Sequence, residues 1–139
     1  MMRGRGILVV DDEGSIRRLL VQVLGSLGYR IESVAEGALA TRILEDDPEI
    51  ELVLTDLTMP GLKGQDVAEW VVRKRPDVIV VCMSGSPDDR DGRLSRLLEK
   101  RLITFLPKPF LPTQVINLVQ RLLPNPFPIQ IPEAVFLHR

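Results

Sequence analysis

The chain has 139 residues, enough for one compact domain with a real core and too few for two full ones. With 45% hydrophobic and 27% charged residues it has the composition of an ordinary globular protein, and a formal net charge of -1 gives no general attraction to nucleic acid or to an anionic membrane. The single cysteine, Cys82, lies in an apolar run and excludes an internal disulfide; the opening MMRGRG is followed by too few apolar residues for a signal peptide, and no run nears the ~18 of a membrane span, so a reducing cytoplasm is expected.

Residues 1–5 read as a short arm. The first strand is predicted at 7–10, stopping on Asp11, Asp12 and Glu13. Ile16, Leu19, Leu20, Val23, Leu24 and Leu27 then repeat at helical spacing, with Ser15 as N-cap and Gly28 as the stop. A strand at 30–34 and a helix at 38–44 follow. The third strand, 52–55, ends on Asp56, a charge at the mouth of a buried strand, where it is costly unless compensated. In the loop behind it Met59 and Pro60 shape the backbone, and Gly61 and Gly64 give it freedom. The next helix, 65–73, carries Trp70, read as packing or surface cover.

The fourth strand, 78–83, runs into Ser84, a residue type suited to an N-cap. The stretch GSPDDRDGR has more turn chemistry than helix chemistry, so the helix at 93–99 is expected to start late and be short. The fifth strand, 103–106, holds Phe105 as a partly buried ring and leads to Lys108 and Pro109. The last helix, 113–123, begins just after Pro112, and closes a domain spanning 6–123. Residues 124–139 carry Pro124, Pro126, Pro128 and Pro132, which forbid a helix or a central strand. This tail reads as a linker remnant, or as a segment whose Phe127, Ile129, Ile131 and Phe136 dock on an apolar groove of this or a neighbouring chain.

Strands that are apolar throughout, each followed by a helix, predict a doubly wound α/β fold: a five-stranded parallel sheet with five helices covering both faces. Ligands of such folds bind outside the carboxyl ends of the strands. Asp11, Asp12, Asp56, Ser84 and Lys108 all fall at that edge. Three converging carboxylates repel one another unless a cation sits among them, and oxygen-only ligation suits Mg²⁺ better than zinc. A carboxylate beside Mg²⁺, a lysine and a serine hydroxyl has the parts to accept a phosphoryl group as an acyl phosphate, the charge on the transferred oxygens being neutralised by metal and lysine.

ILVVDDE at 7–13, DLTMPGLKG at 56–64, MSG at 83–85 and FLPKPF at 105–110 resemble, in order and spacing, the signature segments of the response-regulator receiver domain of two-component signalling. The resemblance covers about residues 6–123 and implies the flavodoxin-like strand order 2-1-3-4-5. It also implies Asp56 as phosphoacceptor, Asp12 as a direct Mg²⁺ ligand (Mn²⁺ serving in its place), Asp11 as a ligand through water and the backbone carbonyl of Thr58 as a further ligand. Lys108 would bridge to the phosphoryl group, Ser84 would be the switch hydroxyl and Phe105 the switch aromatic, and the Lys108-Pro109 bond would be cis. Thr58 and Ser86 occupy positions that tune phosphoryl lifetime in that family.

On this reading the chain is a signalling switch that catalyses only its own phosphorylation and dephosphorylation. Its partners would be a histidine kinase or histidine phosphotransfer domain upstream, and a downstream protein or a second copy as output. His138, the single histidine, sits in the tail and lacks the helical setting of a phosphodonor. Two other classes compete. An aspartyl-nucleophile phosphatase would want a second Asp two residues after the nucleophile, where this chain has Thr58; a flavin-binding module is opposed by the acidic strand ends. With no DNA-binding segment after the last helix, direct nucleic-acid binding is not expected. The chain is expected to be either a stand-alone regulator or a receiver excised from a larger protein, and the opening RGRGILVVDDE, which resembles the linker entry to receivers fused behind hybrid sensor kinases, favours excision.

Overall fold

In the computed structural model of the protein, residues 4–59, 64–85 and 92–124 are described. The arm residues 1–3, Pro60, Gly61, the stretch 86–91 and the tail from 125 onward, with Phe127, Ile129, Ile131, Phe136 and His138, lie outside them. Five strands, β1 (Gly6–Val10), β2 (Arg30–Val34), β3 (Ile50–Asp56), β4 (Ile79–Ser84) and β5 (Thr104–Pro107), alternate with five helices, α1 (Gly14–Gly25), α2 (Gly37–Asp46), α3 (Gly64–Lys74), α4 (Arg93–Glu99) and α5 (Pro112–Leu122). All pairings are parallel and the order is β2-β1-β3-β4-β5, a flavodoxin-like sheet.

Period-two alternation sorts each strand between two layers. Leu8 and Val10, Val53, and Val80 and Cys82 face a core built with Ala40 and Leu44 of α2, Val67, Ala68 and Val71 of α3 and Leu94 of α4. Ile7 and Val9, Leu52 and Leu54, and Val81 and Met83 face the other side, against Leu20 and Leu24 of α1 and Val115, Leu118 and Val119 of α5. Both faces of the central strands are buried except at Glu51 near the start of β3, which is why β1 and the body of β3 read as apolar runs. Each such leucine, isoleucine or valine contributes about 1.5–3 kcal/mol by leaving water.

Several local expectations change. Helix α1 begins at Gly14 with Glu13 at its N-cap, and not with Ser15: the Arg17 N–H donates to the Glu13 carbonyl, which starts the ladder two residues earlier. Its regular turns end at Gly25; two tighter bonds, Leu27 N–H to Leu24 O and Gly28 N–H to Gly25 O, carry the chain on to Gly28, whose φ of 95° needs a glycine. Ser84 is the last residue of β4 and caps no described helix, since α4 starts at Arg93 with Gly92 at its N-cap. That helix has seven residues, short as its turn-rich approach predicts. Pro112 is inside α5 at its first position, where a missing N–H costs nothing, and the Gln114 side chain accepts the Leu111 N–H.

The far end of the sheet ties the entry to β1 to the exit of α5. Arg5 forms a two-pronged pair with Glu51, Nε to Oε2 at 3.0 Å and Nη2 to Oε1 at 2.9 Å, and its Nη1 donates to the Pro124 carbonyl. The buried Tyr29 hydroxyl donates to the Leu123 carbonyl at 2.5 Å.

Candidate functional site

Parallel strands align their carboxyl ends, so β1, β3, β4 and β5 deliver their last residues to one edge. Asp11 follows β1 and is completely buried; its Oδ1 accepts the Glu13 N–H at 2.9 Å and its Oδ2 accepts Lys108 Nζ at 2.8 Å. Asp56 ends β3 at 4% exposure, and its Oδ1 accepts the Thr58 N–H at 3.3 Å. Lys108 Nζ also stands 3.7 Å from Asp56 Oδ1 and 4.0 Å from Glu13 Oε1. Asp12 is exposed at the rim, and ligand oxygens of Asp11, Asp12 and Asp56 all lie within 4.8 Å of one another.

Electrostatics follow from this crowding. The Asp56 carboxyl is held above the usual carboxylate range first by burial, and further by Asp11 and Asp12, against the Thr58 N–H and Lys108, which favour its charged form. For Lys108, burial works against the ammonium but is outweighed by the hydrogen bond to Asp11 and the charges of Asp11, Asp56 and Glu13, so its pKa rises. Among the described residues, Lys108 offsets only part of the negative charge of Asp11, Asp12, Glu13 and Asp56. The donor set of the pocket is oxygen, two of the three carboxylates are shielded from water, and Cys82 is buried in the core beside α2, α3 and α4, its thiol pushed up to about 12 by burial. That combination fits a hard dication such as Mg²⁺ or Mn²⁺ and gives a thiophilic metal nothing to bind.

Ser84 is buried at the end of β4, its backbone registered with Pro107, and its carbonyl accepts the Lys108 N–H at 3.0 Å. The Lys108-Pro109 bond is cis. Phe105 is paired in register with Cys82 and is partly buried against the α2/α3/α4 layer. Thr58 is exposed beside Asp56. Trp70 packs partly buried on the same layer as Phe105.

One contributor escaped the sequence reading, and another has a different role from the one expected. Arg17 Nη1 donates to the Asp11 carbonyl at 2.7 Å and so pins the backbone between two ligand candidates; its place in the first turn of α1, just after the acidic run, was the available clue. Gly64 does not serve backbone freedom. A Cβ there would lie 1.8 Å from the Asp56 carbonyl oxygen, so the start of α3 presses directly on the backbone of Asp56. Only glycine permits that approach.

Comparison with known proteins agrees with this geometry. Residues 7–120 match the family model described as "Response regulator receiver domain". The chain is 32% identical over 120 residues to the two-component response regulator ORR11 of Oryza sativa subsp. indica, covering 85% of this chain and 80% of that one. It is 33% identical over 125 residues to the DNA-binding transcriptional regulator NtrC of Rhizobium meliloti and 31% over 118 residues to the sensor kinase CckA of Brucella abortus. Those matches cover 90% and 84% of this chain but 25% and 12% of the relatives. Among solved structures, a CheY-like response regulator receiver domain protein from Methanospirillum hungatei superposes with a TM-score of 0.77 at 23% identity, covering 86% of this chain and 93% of that one. A signal receiver domain of an HD domain-containing protein from Pseudomonas fluorescens gives 0.76 at 22%, covering 88% and 89%.

Proposed function

Because the chain belongs to the response regulator receiver domain family, we propose that Asp56 accepts a phosphoryl group from a partner histidine kinase or histidine phosphotransfer domain in a Mg²⁺-dependent reaction, and that this switches a protein-binding surface. The observation that supports it best is the placement of Lys108 Nζ between Asp11 and Asp56, at 2.8 and 3.7 Å, in a pocket of three carboxylates. An Asp56 oxygen forms the new P–O bond as the P–N bond of a donor phosphohistidine breaks, and the electron pair leaves with the imidazole nitrogen, which takes up a proton. The backbone of Asp56, fixed by Gly64, holds the nucleophile still. Lys108 leaves Asp11 for the phosphoryl oxygens and offsets their charge, and the Ser84 hydroxyl donates to another of them. Asp11, Asp12, Asp56 and the Thr58 carbonyl would hold the metal, which supplies further charge neutralisation when bound.

As Ser84 is drawn toward the phosphoryl group, the ring of Phe105 turns inward, and the surface of α4, β5 and α5 changes for a downstream protein or a second copy of the chain. The receiver proper runs from 6 to 123, with the arm before it and the proline-rich tail after it. No described helix is long and apolar enough to cross a membrane. The reading is tested by incubating the protein with Mg²⁺ and acetyl phosphate, or with beryllofluoride, and mapping the adduct by mass spectrometry and fluorescence of Trp70. Wild type should gain one acid-stable, base-labile phosphoryl group on Asp56, and Asp56→Asn none. An unlabelled wild type, or equal labelling of the variant, would sink it.

A further inference from the structure

The three carboxylates of the site are not held alike. Asp11 and Asp56 are buried and their side chains accept hydrogen bonds, from Glu13 and Lys108 and from Thr58. Asp12 is exposed, and among the described residues no hydrogen bond or ion pair reaches its carboxylate. A ligand oxygen of Asp12 nonetheless lies within 4.8 Å of the other two. Its direction is therefore decided by the backbone on either side of it. On the near side, the Asp11 N–H donates to the Val34 carbonyl at 3.1 Å and ties the end of β1 to β2.

One residue reaches both flanks of Asp12. The Arg17 N–H donates to the Glu13 carbonyl at 3.2 Å, and Arg17 Nη1 donates to the Asp11 carbonyl at 2.7 Å. The Asp11 carbonyl and the Asp12 N–H belong to one planar peptide, so holding the carbonyl fixes that plane and, with it, the base from which the Asp12 side chain springs. The first bond is part of the helix and persists in any variant that leaves α1 intact, whereas the second depends on the guanidinium. We propose that Arg17 is a positioning residue for the dication, aiming the exposed Asp12 carboxylate at the site through the Asp11 carbonyl. This rests on the reading that Asp11, Asp12 and Asp56 hold Mg²⁺.

The chemistry of the ion makes such help matter. Mg²⁺ tolerates little departure from octahedral geometry, so a rim ligand free to wander has to be aligned each time an ion binds. Groups behind the ligands that fix their orientation carry much of a site's affinity. A guanidinium suits the task because it donates in a fixed plane, keeps its charge and offers the ion no acceptor of its own. Its charge alone would act the other way, since a fixed cation beside the site repels a dication. Arg18 separates the two effects. A Cβ on Gly14 would lie 3.1 Å from Arg18 Nη1 and 3.5 Å from Arg17 Nη2, so both guanidiniums gather over the first turn of α1. Arg18 is exposed, and among the described residues it makes no hydrogen bond to the acidic run.

Calorimetric titration of the whole chain with Mg²⁺ alone, without a phosphodonor, tests the proposal. Arg17→Ala should weaken Mg²⁺ binding about tenfold, and Arg17→Lys, which keeps the charge but loses the planar fork, about threefold. Arg18→Ala should bind within about twofold of wild type or more tightly. In acetyl phosphate labelling, Arg17→Ala should need more Mg²⁺ for its half-maximal rate, while its maximal rate at saturating Mg²⁺ stays within about twofold of wild type. Melts in chelator report folding separately, and should Arg17→Ala not fold, Arg17→Lys carries the comparison. Wild-type Mg²⁺ affinity in the Arg17 variants, with or without a lower melting temperature, overturns the proposal. Tighter binding by Arg17→Ala, or equal weakening by Arg17→Ala and Arg18→Ala, does so too. If wild type still gains its Asp56 adduct in those cases, the inference alone fails. The expected Mg²⁺ pattern in a chain that gains no adduct would uphold the inference and remove the phosphoacceptor reading, and a wild type that binds no Mg²⁺ overturns both.

Discussion

A carboxylate at 4% exposure with two others beside it is an electrostatic liability that a single lysine only partly relieves, and its sign is testable. Because burial, then Asp11 and Asp12, hold the Asp56 carboxyl above its ordinary 3.8, the folded state binds this proton more tightly than the unfolded chain does. The slope of stability with pH is therefore negative: in metal-free buffer this group's contribution is most favourable below about its ordinary value and is lost as pH rises through the raised one. Asp56→Asn should raise the neutral-pH melting temperature in chelator by a few degrees and flatten that slope, as followed by thermal melts between acid and neutral pH. Adding Mg²⁺ should then stabilise wild type far more than the variant. Gly64 supplies a second test at this scale. Gly64→Ala forces its Cβ against the Asp56 backbone, so a loss of roughly 2–3 kcal/mol in denaturant melts is expected, with a large drop in the rate of acetyl phosphate labelling. Gly25→Ala, whose Cβ would meet nothing within 4 Å, should be neutral or stabilise by up to about 1 kcal/mol.

At the scale of elements, much was legible because burial on both faces leaves unbroken apolar strands, and because turn chemistry separates them. The five strands and five helices stand where patterning places them, with ends moved by at most two residues. Those movements have causes that a residue pattern does not contain. The start of α1 depends on which carbonyl first accepts a helical N–H, and the role of Gly64 depends on a neighbour eight positions back that meets it only in the fold. The carboxylates and Lys108 were legible because the fold brings successive strand ends together; Arg17 was not, because its bond is to a backbone carbonyl. Arg75 is similar. After α3, its guanidinium donates to the Leu44 carbonyl at 2.7 Å, to Asp47 at 3.2 Å and to Ile50 at 3.1 Å, stitching the end of α2 to the start of β3. A lysine cannot reproduce that planar fork, so Arg75→Lys should cost about 1–2 kcal/mol in chemical denaturation; an unchanged midpoint would refute the stitch. At the end of α4, Arg101 sits at φ 57°, with Leu102 N–H reaching back to Leu97 O in a glycine-type stop. Arg101→Gly should stabilise by up to about 1 kcal/mol in the same assay.

Across the whole molecule, anchorage is uneven in a way that suits a switch. Strands β1 and β3 lie in the middle of the sheet and are sealed on both faces, whereas α4, beside β5 at the sheet's other edge, has seven residues and buries only Leu94. Beside Leu94, Arg93 ties its first turn to the rest, with Nε 2.6 Å from Glu69 and Nη2 2.7 Å from Asp66, both on α3; those carboxylates raise the arginine's pKa. Such partly exposed pairs are worth at most about 1 kcal/mol each, little against global stability but a large share of what holds a helix this short. Arg93→Ala should therefore act locally. Amides of Leu97 and Leu98 should exchange several-fold faster, roughly fivefold per 1 kcal/mol lost, while those of β1 and β3 keep their wild-type rates. A uniform acceleration over all elements would instead mean that Arg93 supports the entire fold, and α4 would then have no independent freedom with which to report the state of Asp56.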